Sequence, residues 1–130
     1  MASSPGAAQS AHDVLGAPGV VPVESQPAPK LVVDPPLPGP LSFGRVVIQY
    51  RAENLRIVPV FGPKALTVSP RIGHIHITVD DLPWHWADAS GEPVILNGFP
   101  PGRHTVLIEL VDANHKPFTS VVHEFVIPTP

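Results

Sequence analysis

Proline and glycine set the first limit on what this chain can become. With 19 prolines and 10 glycines in 130 residues, no stretch holds a helical period, because proline removes a backbone donor and clashes with the preceding turn. The segments between them alternate instead. In "RVVIQYR" at 45–51, Val46, Ile48 and Tyr50 alternate with polar neighbours, and "HIHITVD" at 74–80 turns Ile75, Ile77 and Val79 to one face and His74, His76 and Thr78 to the other. "RIVPVF" at 56–61 carries Pro59, which suits a sheet edge. "EPVILN", "HTVLIELVD" and "TSVVHEFVI" follow, separated by "FPPG" and "DANHK". Short strands at intervals of roughly 8 to 15 residues predict an all-β fold, an immunoglobulin-like antiparallel β-sandwich, with a cupin-like small barrel as the alternative. A cupin also requires a Glu shortly after its H-x-H, and Val79 and Asp80 stand there instead.

Composition narrows the function classes. Eight Lys and Arg against 11 Asp and Glu, without a basic run, argue against a surface that tracks nucleic-acid phosphates. No apolar run approaches the roughly 20 residues of a membrane helix, so no membrane insertion is expected. The absence of cysteine rules out thiolate chemistry and leaves His and carboxylates as the strong metal ligands.

Residues 1–29 are rich in Ala, Ser, Pro and Gly and read as an arm, with residues 30–130 forming the sandwich domain. No signal peptide follows Met1, although Ala8 and Ser10 resemble a cleavage point, so a periplasmic or secreted location is the expectation. Within the arm, "GVVPVES" offers Val20, Val21 and Val23 to an unpaired strand edge, which predicts a homo-oligomer that exchanges arms.

Three of the seven histidines fall in "RIGHIHITVDDLPWHWADASGE" at 71–92. His74 and His76 leave one strand face with Cα atoms about 6.5–7 Å apart, a spacing from which two imidazoles can converge on one ion. His104 opens the long strand and His115 sits in the turn after it, about 35 Å apart along a straight ladder, so the two cannot share an ion unless the chain folds back. Spacing favours His104 as the third ligand, with His85 or His115 as the fourth. His123, on the apolar phase of the last strand, reads as a packed core histidine, and His12 lies in the arm.

The pieces "GHIHITVD", "PGRHT" and "DANH" resemble a group of small exported bacterial domains of unknown function, over about residues 57–127. The positions carrying the likeness are Gly73, His74, His76, Asp80, Pro101, Gly102, His104, Thr105, Asp112 and His115. What the resemblance implies is an exported β-sandwich with a histidine site for copper or zinc. Two other functions compete with a metal-binding module. Trp84 and Trp86 share one face of an extended segment and could form a metal-free platform for carbohydrate or a protein partner. A three-histidine ion with an open position could also make a small metalloenzyme, for which no substrate is legible.

Overall fold

The structure, a computed structural model, describes residues 25–83 and 85–130. It is all-β, with nine strands among the described residues: β1 (Lys30–Val33), β2 (Val46–Ile48), β3 (Tyr50–Glu53), β4 (Arg56–Ile57), β5 (Ile72–Val79), β6 (Trp86–Asp88), β7 (Val94–Leu96), β8 (Gly102–Asp112) and β9 (Pro117–Ile127). Helical turns are short, with one at Pro38–Leu41 and a 3-10 turn at Pro63–Thr67, each with proline in its first positions. No helix among the described residues is long and apolar enough to cross a membrane. Residues 1–24, which carry most of the arm and its expected oligomer contacts, and Trp84 lie outside the described residues.

A five-stranded sheet is built around β5. Strand β8 pairs antiparallel along one edge of it, from Gly73 opposite Asp112 to Val79 opposite Val106, and β9 continues the sheet beyond β8. The other edge is shared, with β4 running parallel beside Ile72 and Gly73, and β6 antiparallel beside Ile75–Ile77. The Pro59-containing segment therefore takes the edge expected of it: the Arg56 and Val58 N–H groups donate to Arg71 O and Gly73 O, the missing N–H of Pro59 falls in the alternate phase, and the ladder ends where the Val60 N–H turns back to Val58 O.

Two antiparallel pairs, β2 with β7 and β1 with β3, contribute to the core under this sheet. Period-two alternation supplies its contents: Ile75 and Ile77 from β5, Val106, Ile108 and Leu110 from β8, and Phe125 and Ile127 from β9 meet Val46, Ile48 and Val94. Leu31, Val33, Tyr50 and Trp86 pack against the cluster's margin. Each fully buried aliphatic side chain of this kind contributes about 1.5–3 kcal/mol of transfer free energy.

The opposite face of β5 departs from the solvated face that simple alternation predicts. His74 is fully buried and His76 is 8% exposed. The cover comes from Phe61, beyond β4, and from His115 in the β8–β9 turn, whose rings lie over His74. A smaller apolar cluster of Ala65, Ile72 and Ala113 joins the 3-10 turn to that end of the sheet.

Candidate metal centre

The site begins with the backbone of β5. Alternation sends His74 and His76 out of the face opposite Ile75 and Ile77, and the β5–β8 register sets Val111 beside His74 and Glu109 beside His76. Past Asp112 the chain reverses in a tight turn held by one carboxylate oxygen: Asp112 Oδ1 accepts the N–H groups of Asn114 at 2.8 Å and Lys116 at 3.0 Å. The backbone closes it as well, with His115 N–H donating to Asp112 O at 3.0 Å and Asp112 N–H to Lys116 O at 2.8 Å. His115 takes a left-handed conformation, φ 69°, uncommon for a residue with a Cβ. The result is a ring folded back over β5.

Three nitrogens converge as a consequence. His74 Nε2, His76 Nε2 and His115 Nδ1 stand 3.1 Å from one another in all three pairs. Hydrogen bonding cannot satisfy this arrangement. Each ring nitrogen is either donor or acceptor, so among three nitrogens at least two share a role and face each other unsatisfied. A cation at the common point satisfies all three lone pairs at once. The corners of an equilateral triangle of this edge are about 1.8 Å from its centre, a spacing that metal–nitrogen bonds of about 2.0–2.1 Å would span.

The electrostatics agree with ligation by neutral rings. Burial first, and then the nearby His115, hold the His74 imidazole below its ordinary range, against the opposing charge of Asp112. Burial, followed by the charges of His74, His115 and His85, pushes His76 down to about 4. His74 Nδ1 is itself buried without a hydrogen-bond partner among the described residues, a further penalty on charging that ring. An unfolded chain takes up these protons near pH 6.5, whereas the folded one resists until about pH 4 at His76. The unfolded state thus binds more protons across that interval, and stability of the metal-free protein is expected to fall as pH is lowered from about 6.5 toward 4. Urea midpoints in chelator at pH 7 and pH 4.5 measure this, and equal midpoints would contradict it.

The structure brings together His74, His76 and His115, whereas spacing along the chain favoured His104 at the heart of the site and left His115 at its margin. Antiparallel pairing is the reason. Because Gly73 lies opposite Asp112 and Val79 opposite Val106, the start of β8, with His104, meets the far end of β5. There His104 Nδ1–H donates to Asp80 Oδ2 at 2.7 Å and Nε2–H to Pro100 O at 2.8 Å, while Asp80 Oδ1 accepts the Thr105 N–H at 2.8 Å. Desolvation opposes charge on both partners, but their mutual hydrogen bond, with the Thr105 and Pro100 backbone bonds, outweighs it, raising His104 and lowering Asp80. His104 serves a clamp at the other end of the sheet.

His85 is exposed, with its ring 5.1 Å from that of His76. Trp86 turns toward the core margin, and also lines a groove of about 400 Å³ with Val79, Leu96 and Phe99. Trp84 lies outside the described residues. His123 is half-buried, its Nε2–H donating to Val33 O at 2.9 Å. Sequence reasoning missed Phe61, which packs edge-on to His74 at 4.9 Å and stacks on His115 at 6.0 Å, and it missed Glu109. The latter is the one acidic residue inside "HTVLIELV", a signal that acquires meaning only with the register.

The chain belongs to a family of unknown function, DUF6130. The family model spans residues 1–130. No curated protein and no solved structure matches the chain, so the reading of this DUF6130 member rests on the geometry of its own residues.

Proposed function

We propose that this protein binds one transition-metal ion, copper or zinc, through His74, His76 and His115. The observation that carries the reading is the equal 3.1 Å separation of three imidazole nitrogens that no pattern of hydrogen bonds can satisfy. Donor chemistry supports the choice of ion. Imidazole suits zinc and copper, while calcium and magnesium want oxygen ligands, and a chain without cysteine has no thiolate to offer a softer ion. His74 and His76 sit on a strand paired along both edges, and His115 sits in a turn pinned by Asp112, supports that hold the three nitrogens in place.

Titration of the metal-stripped protein with Zn(II) and with Cu(II) tests this. One equivalent is expected to bind, and the His74→Ala, His76→Ala double variant is expected to bind none while retaining the β-sheet circular dichroism of the parent. Because His76 is mostly buried, the variant could fold poorly, so His115→Ala, at an exposed turn, serves as the independent arm. Unchanged stoichiometry and affinity in folded His115→Ala would sink the assignment.

A further inference from the structure

We infer that His85 is the fourth ligand of the ion proposed above, so that loading closes a four-nitrogen site; the inference rests on the three-histidine reading. Strand alternation carries the first step. Trp86 pairs with Ile77, and both belong to the core side, which puts the preceding residue, His85, on the outer face with His76 and diagonal to it.

Ring spacing carries the second step. The three rings of the triad have centroids 4.9, 5.0 and 5.1 Å apart, and His85 stands 5.1 Å from His76 at a 37° tilt. About 5 Å is the separation that imidazoles require around a tetrahedral ion with bonds of about 2.0–2.1 Å. His85 therefore already holds ligand spacing to one corner of the triangle and needs only side-chain rotation to approach the others. Its ring is exposed, and among the described residues no hydrogen bond ties it.

The surroundings select this side of the site. Phe61 covers the edge between His74 and His115, where an apolar ring offers no donor, while His85 stands beyond the His76 corner. Glu109 also neighbours His76, across β8, but neither lies in the three-residue cluster, and only His85 has its ring at the triad's own spacing. A site with four protein nitrogens keeps no position for water, which is the arrangement of a holding site rather than a hydrolytic one. The role that follows is retention or delivery of the ion.

Cobalt(II) provides the test, since its visible absorption reports coordination number. Wild-type protein loaded with Co(II) is expected to give the intense bands of a four-coordinate ion and to ignore excess azide. The His85→Ala variant, altered at an exposed position, is expected to take one Co(II) with affinity lower by at least the roughly 10- to 100-fold that loss of an outer-shell partner costs, and its bands should shift when azide enters the vacated position. Identical affinity and spectra in the two proteins, or an azide response in the wild type, would overturn the inference while leaving the triad in place. Failure of the wild type to take up Co(II), Zn(II) or Cu(II) would overturn the three-histidine reading itself, and this inference with it.

Discussion

Replacing His115 with alanine is expected to weaken metal binding at least 100-fold, the upper end of what loss of a mere outer-shell partner costs, while replacing His104 leaves stoichiometry and affinity unchanged. One lies near the start of β8 and the other in the turn after its end, and they serve different ends of the sheet. His115 supplies Nδ1 at 3.1 Å from both other ligand atoms, and its exposed turn is held by Asp112 rather than by its own ring. The substitution thus removes a ligand and little else. His104, by contrast, is 10% exposed and bonded to Asp80 and Pro100, whose acceptors are themselves exposed and regain water, so His104→Ala is expected to lower stability by about 0.5–1.5 kcal/mol, the net worth of such bonds. Calorimetric titration with Zn(II), beside thermal melts of both metal-free variants, separates the two effects. If His104→Ala loses the ion as fully as His115→Ala, the assignment of ligands is wrong.

Gly73→Ala is expected to be the most damaging small substitution in the sheet. A Cβ at Gly73 falls 2.2 Å from the carbonyl oxygen of Val111 and 3.0 Å from Leu55 Cδ1. Leu55 can rotate, but Val111 O belongs to the backbone of the paired strand and cannot. Strands β5 and β8 must therefore separate where Gly73 meets Asp112 and His74 meets Val111, beside the irregular step at Leu110 and Val111 in the β8–β9 ladder. Overpacking usually costs about 1–3 kcal/mol. A clash with backbone belongs at the top of that range, which corresponds to a fall in melting temperature of roughly 10–25 °C. Metal affinity should fall as well, because the displaced backbone carries His74. Gly39→Ala is the control, since nothing lies within 4 Å of a Cβ there; it should change stability by no more than about 0.5 kcal/mol. A Gly73→Ala protein that melts within two or so degrees of the parent would show that the strands can part without loss.

Much of the sheet is legible in the order of the amino acids. Proline and glycine mark the breaks, and alternation assigns Ile75 and Ile77 to the core and His74 and His76 to one shared face. The same alternation makes His123 a packed residue, and it is half-buried with its ring bonded to Val33 O. The strand β1 at Lys30–Val33 carries too little pattern to be recognised, since four residues do not display a period. The third histidine of the cluster escapes for a different reason. Distance along an isolated strand correctly separates His104 from His115, but which of them returns to β5 depends on register, and register follows from how both strands fill the same core.

By itself, the sequence determined the all-β class, the core phase of β5 and the pairing of His74 with His76, because these follow from local stereochemistry with a period of two. Only the tertiary structure decided that His115 completes the cluster, that His104 clamps Asp80 instead, and that Phe61 buries what alternation would leave in water. Those outcomes depend on contacts between residues 13 to 41 positions apart, such as Phe61 with His74 and His74 with His115. Such contacts are selected by the packing of the whole sheet, and no window of neighbouring residues contains that information.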